Sequence, residues 1–538
     1  MSGGSDASDS SAFAPLRERV FAVLWLATVL GNVGSFMRDV ASAWLATELS
    51  TSPTAVAAVQ AAAALPVFLF AIPAGVLADI LDRRRLLIGV QLLLATVSAT
   101  LMVLAHTRQL DLTGLLLLTF VGGVGGALMA PTWQSIVPAL VPRAQLRSAV
   151  ALNSLGVNLS RAVGPAAGGL LLAAWGAAFT YGVDLLTYVL VIAALLWWHP
   201  PPVPADPLAE VFGGALRTGL RHALANADLR RVLLRAGVFF ALSSAAWALL
   251  PLVGRQLLGS GAAFYGVMLG AVGVGAIAGA LLLPRLRPHL GPEGLMAGAA
   301  LACAAVLATL ASAPPAPVAL AALLALGGAW IVALTTLGAI TQAVLPNWVR
   351  GRGLAVYLTV FNGALAGGSL AWGATAQGLG LVPALGVAAA LLVLGAAVMR
   401  RWPLPAGEAV LDPAHAWPEP TLAAPVAADR GPVLVLVTYA IDPADRPAAL
   451  ALLQQLSQHR RGDGASAWGL TEDTADPTRL VEWFTLPSWQ EHLRQHHRAS
   501  QAASALQARL RELHRGPQPP SVQHLLTLTP RDLHESPP

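Results

Sequence analysis

The chain has few charged residues, one cysteine and no lysine. Charged residues make up 11% of its 538 positions and hydrophobic residues 56%, whereas a soluble domain carries about 25% charged residues. A larger soluble core does not explain the shortfall, because a larger body still needs a polar surface. The composition therefore excludes a disordered, fibrous or ordinary cytosolic protein and favours a polytopic membrane protein.

Two further absences narrow the chemistry. Cys303 is the single cysteine, so neither an intramolecular disulfide nor a thiolate metal cluster is expected. The sequence contains no Walker loop, so ATP is not expected to supply the energy for a membrane process.

Twelve apolar stretches are long enough to cross a hydrocarbon core as helices, at about 1.5 Å per residue. We predict segments one to twelve at 20–46, 54–78, 86–106, 112–137, 148–173, 178–198, 232–255, 260–284, 293–312, 316–345, 353–378 and 381–400. Segment one follows basic residues, as a signal peptide would. It is longer than a signal-peptide core and is interrupted by Arg38 and Asp39, so we interpret it as a retained helix.

The arginines cluster in alternate loops, and all 33 basic residues are arginine. They precede segment one, lie between segments six and seven, and follow segments two, four, eight, ten and twelve; the loops between hold little beyond Arg108 and Arg255. This positive-inside pattern predicts that both termini are cytoplasmic. The net charge of +5 is then a topology signal, and no nucleic-acid partner is expected.

A proline-rich central stretch divides the segments six and six, and the halves resemble each other. Gln134 and Pro138 end segment four as Gln342 and Pro346 end segment ten. Two parallel six-helix repeats around a midplane cavity are typical of secondary transporters. We predict a disordered tail (1–19), a first bundle (20–198), a cytoplasmic central loop (199–231), a second bundle (232–401), a linker (402–430), a soluble domain (431–528) and a C-terminal tail (529–538).

The soluble domain has its own pattern. Residues 433–441, 465–471, 479–486 and 522–528 read as strands, and 443–460 and 488–514 as helices. The order βαββαβ predicts a small α+β domain of the ferredoxin-like type. The fold class is therefore an all-α, twelve-helix membrane protein with a small cytoplasmic α+β domain.

A motif lies between segments two and three. Gly75, Asp79 and the run Arg83, Arg84 and Arg85 resemble the loop signature of the major facilitator superfamily, and the resemblance implies two six-helix bundles and alternating access. A glycine there lets two helices approach, the aspartate accepts from a helix N-terminus, and the arginines hold the cytoplasmic face by charge pairs. Asp82 stands where the signature has glycine, so the turn is expected to differ.

Segment five carries a second motif, which resembles the helix-five motif of exporters of the superfamily. Its members are Gly156, Gly164, Pro165, Gly168 and Gly169. Small residues at this spacing permit close helix packing, and Gly-Pro bends a helix. The motif favours export, and generic packing of membrane helices remains the alternative.

Ionisable groups inside the membrane are costly and usually face the bundle interior. Arg38, Asp39, Arg161 and Asp184 are therefore our candidates for substrate binding or proton coupling. Asp39 would carry the proton, and Arg161 would hold a substrate anion or the Asp184 carboxylate. Purely structural ion pairs are the alternative. The candidate cavity residues are Gln134, Asn158 and Asn362.

Several stretches together resemble the transmembrane secretion effector group, which includes enterobactin exporter-like proteins. They are 130–134, 137–138, 152–154, 161–165, 349–353, 468–473 and 488–496, and the resemblance runs from about residue 13 to 528. It implies efflux of small hydrophobic or siderophore-like molecules across a bacterial cytoplasmic membrane, driven by an ion gradient. We predict a proton-coupled exporter of such molecules or of antibiotic-like ones, without a cofactor. An importer of the same fold, which would carry substrate in the opposite direction, is an alternative.

The soluble domain is similar to the dimeric α/β barrel of cofactor-free antibiotic-biosynthesis monooxygenases. The resemblance implies a homodimer through this domain, and a membrane-tethered monooxygenase is the alternative function; we predict no enzyme. His492 and His496 are spaced i, i+4 on one helix. Without an HExxH order or a clear carboxylate partner they do not make a metal motif, so no metal site is predicted.

Overall fold

The computed structural model describes residues 13–199, 226–345, 350–405, 426–427, 429–498 and 501–528. Most of the predicted central loop and linker, the first twelve residues and the tail 529–538 lie outside this part of the chain. The described residues belong to two units, a helical membrane unit and a second unit that holds the C-terminal domain together with residues 226–231, 340–345 and 350–354.

Ten long apolar helices form the membrane part of the described chain. They are α1 (Arg19–Leu49), α2 (Pro53–Ile80), α3 (Arg83–His106), α4 (Leu112–Leu140), α5 (Leu146–Trp197), α6 (Ala227–Leu252), α7 (Ala262–Ala311), α8 (Ala316–Ala343), α9 (Arg350–Leu379) and α10 (Leu381–Met399). The protein is thus a multi-pass membrane protein.

Two of these helices each contain two predicted segments. α5 has 52 residues and α7 has 50, roughly twice the 20 or so that cross a bilayer. Each is broken at one glycine with positive φ, Gly176 at 80° and Gly291 at 60°. The left-handed region suits glycine, so the chain reverses at these points. The ten helices therefore provide the twelve predicted crossings.

The helix ends follow local side-chain chemistry. Ser52, Asp82 and Asp111 cap α2, α3 and α4 by accepting from main-chain N–H groups three residues ahead, at 3.4, 2.8 and 2.8 Å. Such caps satisfy donors that the first turn leaves unpaired. Asn226 does the same for α6, accepting from the Leu229 amide at 2.9 Å.

Two predicted boundaries are corrected. The cap at Asn226 starts α6 at Ala227, so the central loop ends five residues before the predicted 231. The N-terminal tail is not disordered up to residue 19, because Ala14–Arg17 forms one 3₁₀ turn. Ala14 and Pro15 are buried there, and this burial of apolar surface orders the segment.

The outer surface of the helices is apolar. Leu117 and Leu281 are 61% and 71% exposed, although large apolar side chains of a soluble protein are usually inside. Such a surface is suited to lipid.

The soluble domain is an antiparallel sheet covered by helices on one face. Its strands are β1 (Val433–Ala440), β2 (Ala467–Glu472), β3 (Arg479–Leu486) and β4 (Ser521–Leu526), in the order β2-β3-β1-β4. Its helices are α11 (Arg446–Gly462), α12 (Trp489–Arg498) and α13 (Gln501–Glu512). The predicted α+β domain is confirmed, and α12 and α13 both lie within the second predicted helix.

The core of this domain contains a paired charge. Arg460 Nε lies 3.0 Å from Glu482 Oε1, and both side chains are buried. Trp468 and Tyr439 donate to the same carboxylate at 3.0 and 3.3 Å. The Arg460 guanidinium also lies 4.6 Å from the centre of the Phe484 ring. A buried charge must be paired and hydrogen-bonded, and this network meets that requirement.

Candidate functional site

A cavity of about 870 Å³ lies inside the membrane unit. A second lobe of about 270 Å³ shares Phe36, Asp39 and Arg161 with it. The main lobe is lined by both aromatic and polar side chains, among them Trp25, Asn32, Phe36, Gln91, Trp133, Gln134, Asn153 and Asn158. A mixed lining of this size fits an amphipathic small molecule.

Arg38 lies at the cavity wall, beside a buried carboxylate. Its Nη1 is 3.6 Å from Oδ2 of Asp184, whose side chain is fully buried. Ser98 donates to the same Oδ2 at 2.6 Å. Oδ1 of Asp184 has no hydrogen-bond partner among the described residues. The pair therefore joins the first and sixth segments inside the first bundle.

Local packing brings these two segments together. Gly34 faces the sixth segment so closely that a Cβ atom would lie 2.3 Å from Thr187 Oγ1 and 2.7 Å from Asp184 Oδ1. Tyr188 accepts from Arg38 Nη1 at 2.8 Å and shares a hydrogen bond with Ser35 at 2.9 Å. The guanidinium thus donates to the Tyr188 hydroxyl of the sixth segment, and Ser35 of α1 holds that hydroxyl in place.

Arg161 does not pair with Asp184, which corrects one of the two roles predicted for it. Asp184 is occupied by Arg38 because the face of α1 that carries Gly34 packs on the sixth segment. Arg161 lines both lobes instead, with its guanidinium 6.0 Å from the centre of the Phe36 ring. It forms no ion pair with any carboxylate in the described part of the chain.

Asp39 is the exposed acid of the site. Its side chain is 57% exposed and Oδ1 accepts from Arg38 Nη2 at 3.3 Å. It lines both lobes. Arg38 therefore stands between a buried carboxylate, Asp184, and a carboxylate that is open to the cavity.

The glycines of the helix-five motif are packing contacts. A Cβ atom at Gly156, Gly164 or Gly168 would lie 2.6–2.7 Å from atoms of α1. At Gly169 it would lie 2.5 Å from Gly266 Cα in α7. Pro165 lines the smaller lobe. The motif thus holds the fifth segment against α1 on one side and against the second bundle on the other.

Two of the three predicted cavity residues line the cavity. Gln134 and Asn158 belong to its wall, whereas Asn362 is not among the residues lining either lobe. The reason is that the main lobe is formed almost entirely by the first bundle. The sequence analysis missed Ser98 and Tyr188, since a serine or tyrosine in an apolar segment gives no pattern of its own.

The predicted gating loop is short, since α2 ends at Ile80 and α3 begins at Arg83. Arg83 donates to the Ser135 carbonyl at 3.1 Å, and Arg84 to the carbonyls of Leu195 and Leu196 at 2.8 Å. Within the described part of the chain, Arg83 and Arg84 therefore hold helix C-termini and not the expected carboxylates. The contacts of Gly75 and of the Asp79 side chain lie outside that part. We call this end of the bundle the arginine-rich end.

The two bundles meet at the opposite end. Arg255, in the π-helical turn Val253–Leu257 after α6, donates to the Thr47 carbonyl and, at 3.1 Å, to Thr47 Oγ1. Ser52 donates to Gln377 at 2.8 Å. The Trp44 and Tyr265 rings pack 5.6 Å apart. These contacts link both halves beyond the cavity.

Comparison of the sequence with known proteins identifies the family of this chain. A family model for transmembrane secretion effectors matches residues 10–532. The staphyloferrin A transporter of Staphylococcus aureus is 22% identical over 59% of this chain and 80% of its own. The macrolide efflux protein A of Streptococcus pyogenes is 25% identical over 32% of this chain and 42% of its own. The enterobactin exporter EntS of Salmonella typhi is 30% identical over 41% of this chain and 53% of its own. The chain thus spans about half the length of the last two relatives.

Solved structures give the same fold. The nucleoside transporter NupG, in a variant form, superimposes with a TM-score of 0.60 at 12% identity, over 71% of this chain and 99% of its own. A bacterial homologue of the human lysosomal transporter Spinster gives 0.58 at 14% identity, over 74% and 98%. The chain therefore belongs to the transmembrane secretion effector family, and it is a secondary transporter with the major facilitator fold.

Proposed function

We propose that this transporter exports small siderophore-like or antibiotic-like molecules from a bacterial cytoplasm, driven by the proton gradient. The observation that carries the substrate class is Arg161, a cation in the cavity wall without an acidic partner among the described residues. A charge in a water-filled membrane cavity marks a substrate pathway. An anionic group on the substrate would complete the pair.

The rest of the cavity suits an amphipathic anion. Phe36 lies beside Arg161, and Trp25 and Trp133 supply apolar wall. Asn153 and Asn158 offer hydrogen bonds to polar substituents. Two relatives are named for siderophores and one for macrolides, which supports this class of molecule for the present chain.

We assign proton coupling to Asp39 and to Arg38 beside it. A proton on Asp39 would remove a partner from Arg38 and strengthen the hold of that guanidinium on Asp184. Because Arg38 and Tyr188 join α1 to the sixth segment, a change at Asp39 reaches the packing of the first bundle. Arg161 would exert the complementary control, since a bound anion neutralises it.

The placement of the contacts and of the cavity is compatible with export. The lining of the main lobe includes Trp25 and Val150, near the arginine-rich ends of α1 and α5, while the halves meet at the other end through Arg255 and Thr47. If the arginine-rich end is cytoplasmic, as its charge favours, with both termini on that side, this is the state that loads substrate from the cell interior. Membrane lipid would cover the apolar outer surface.

The soluble domain would act as a dimerisation module and not as an enzyme. Its helices cover one face of the sheet, and the other face carries half-buried Leu434, Leu436, Val481 and Trp483. Leu525 adds a side chain that is 45% exposed. An apolar sheet face left in water favours a second sheet, and the same domain of a second chain supplies a matching one.

A ligand screen tests the substrate class. Purified protein is heated with a panel of carboxylate and catecholate siderophores, macrolides and uncharged analogues of matched size. Anionic members should raise the melting temperature, and the shift should disappear in Arg161→Gln. An equal shift by uncharged analogues, or a shift that persists in the variant, would contradict an anion site at Arg161.

A further inference from the structure

Three histidines meet in the soluble domain. His492 and His496 lie on α12, and His524 lies on β4. One ring nitrogen from each lies within 4.8 Å of the other two. The centre of the His492 ring is 4.7 Å from those of both His496 and His524. The three imidazoles therefore form a single cluster with His492 in the middle.

The buried member of the cluster has no hydrogen-bond partner. His492 is 1% exposed, and neither Nδ1 nor Nε2 bonds to any described residue. A buried ring nitrogen without a partner destabilises the folded state. In folded proteins such groups are almost always satisfied. A ligand that accepts an electron pair from nitrogen would remove this cost.

The three side chains offer the donor atoms that transition metals take. A neutral imidazole nitrogen offers its lone pair to a cation. No carboxylate of the described residues belongs to the cluster, so the donor set is nitrogen only.

The geometry is near that of a metal centre. Bonds of about 2.1 Å place two nitrogens of a tetrahedral zinc site about 3.4 Å apart. The three nitrogens lie within 4.8 Å of one another. His496 and His524 are only half-buried, and the χ2 torsion of histidine is broad. Rotation about χ2 is the movement that would bring the nitrogens closer together.

We propose that His492, His496 and His524 bind one divalent transition-metal ion such as Zn²⁺, with a further coordination position left open. Three neutral imidazoles with an open fourth position are a donor set that Zn²⁺ takes in proteins. This departs from the sequence prediction of no metal site. The i, i+4 pair on α12 looked incomplete because the third ligand comes from β4, 28 residues after His496 in the chain.

The fold explains why His524 arrives there. It pairs with Val435 in the β1–β4 register, and Val435 pairs with Phe484 in the β1–β3 register. Directly opposite residues of an antiparallel pair point to the same face. His524 therefore lies on the face that the helices cover, beside buried Trp489, whose ring centre is 6.3 Å away.

Zinc binding by the full chain is the test. The protein is purified in detergent on a tag without histidine, stripped with a chelator and titrated with Zn²⁺ against a chromophoric competitor. We expect one tightly bound Zn²⁺ per chain. His496→Ala and His524→Ala should each weaken binding at least about tenfold, since loss of an outer partner of a metal ligand already costs 10–100-fold. His459→Ala, a histidine of α11 outside the cluster, should leave the affinity unchanged.

Cobalt provides a readout that needs no variant. Bound Co²⁺ in a site of low coordination number absorbs visible light, and the band should vanish when Zn²⁺ is added. Wild-type protein that takes up no Zn²⁺ and shows no such band would overturn the site. Equal affinity in a folded His496→Ala, His524→Ala double variant would also overturn it, because the bound metal would then lie elsewhere.

Discussion

Arg38 of α1 lies 3.6 Å from the buried carboxylate of Asp184 and 3.3 Å from the cavity-exposed carboxylate of Asp39. One guanidinium thus faces both a structural acid and an accessible one. Asp184 is held from the other side by Ser98 at 2.6 Å. This arrangement divides the membrane acids of the first bundle into one that holds the fold and one that meets solvent.

The first prediction concerns Asp184. Removing one partner of a buried ion pair costs about 3–5 kcal/mol where the remaining charge is left uncompensated, and after loss of Asp184 only the exposed carboxylate of Asp39 would still face Arg38. Asp184→Asn should therefore lower the melting temperature of the purified protein markedly. Arg38→Met combined with Asp184→Asn should recover part of the loss. Ser98→Ala, which removes one hydrogen bond only, is the matched control and should have the smaller effect. Additive losses in the double variant would contradict the pairing.

The second prediction concerns Arg161. Arg161→Gln should raise the KM for an anionic substrate at least tenfold while the protein stays folded, because the guanidinium has no structural carboxylate partner among the described residues. Arg161→Lys keeps the charge and should lose less. Arg108→Gln, an exposed arginine outside the cavity, is the control. Transport kinetics in vesicles measure the effect, and an unchanged KM in Arg161→Gln would remove this residue from the substrate site.

The third prediction concerns the contact between the two bundles at Gly169. A methyl group there would lie 2.5 Å from Gly266 Cα and 2.9 Å from the Ala262 carbonyl. These are main-chain atoms, so the clash is relieved only by moving helices apart, at about 1–3 kcal/mol. Gly169→Ala should lower thermal stability and shift the protein towards a state that is open at the end opposite the arginine-rich end. Cysteine accessibility on both sides of the membrane measures that shift.

The matched control for Gly169 is Gly386→Ala in α10. An added Cβ meets nothing within 4 Å at that position, and alanine favours the helix over glycine by about 1 kcal/mol. This variant should be at least as stable as the wild type. If Gly169→Ala were as stable as Gly386→Ala, the close contact at Gly169 would not restrict the helices.

The fourth prediction concerns the open face of the sheet in the soluble domain. Leu436→Glu places a charge among the apolar residues of that face, next to its register partner Trp483. If two chains join through this face, the variant should be monomeric where the wild type is dimeric. Leu450→Glu, at a 39% exposed position of α11, should keep the dimer. Light scattering in detergent decides between the outcomes.

The sequence predicted the helices and strands well because each is set by a local pattern. The strand 479–486 was placed at its observed ends, since a run rich in β-branched and aromatic residues lies between the turn-rich stretch 472–477 and Pro487. The breaks at Gly176 and Gly291 fall between predicted segments for the same reason. The length of an apolar stretch predicts such an element even when the element that packs against it is unknown.

Side-chain pairing was harder to predict, because it depends on which faces meet. Asp184 pairs with Arg38 and not with Arg161, because Gly34 lets α1 approach the sixth segment. His524 joins two histidines on α12 only through the strand register. Neither relationship leaves a signal in sequence spacing. The family motifs mark positions along the chain, and the contacts between side chains depend on the fold.

Transport into inverted membrane vesicles tests the central claim most directly. Vesicles with an imposed inside-acid gradient should accumulate an anionic substrate found in the ligand screen, and a protonophore should abolish the accumulation. Asp39→Asn should lose the response to the gradient while still equilibrating substrate, and Glu48→Gln, another acid of α1, should behave like the wild type. Accumulation that survives the protonophore and requires ATP, or unchanged gradient-driven transport in Asp39→Asn, would contradict proton-coupled export through this site.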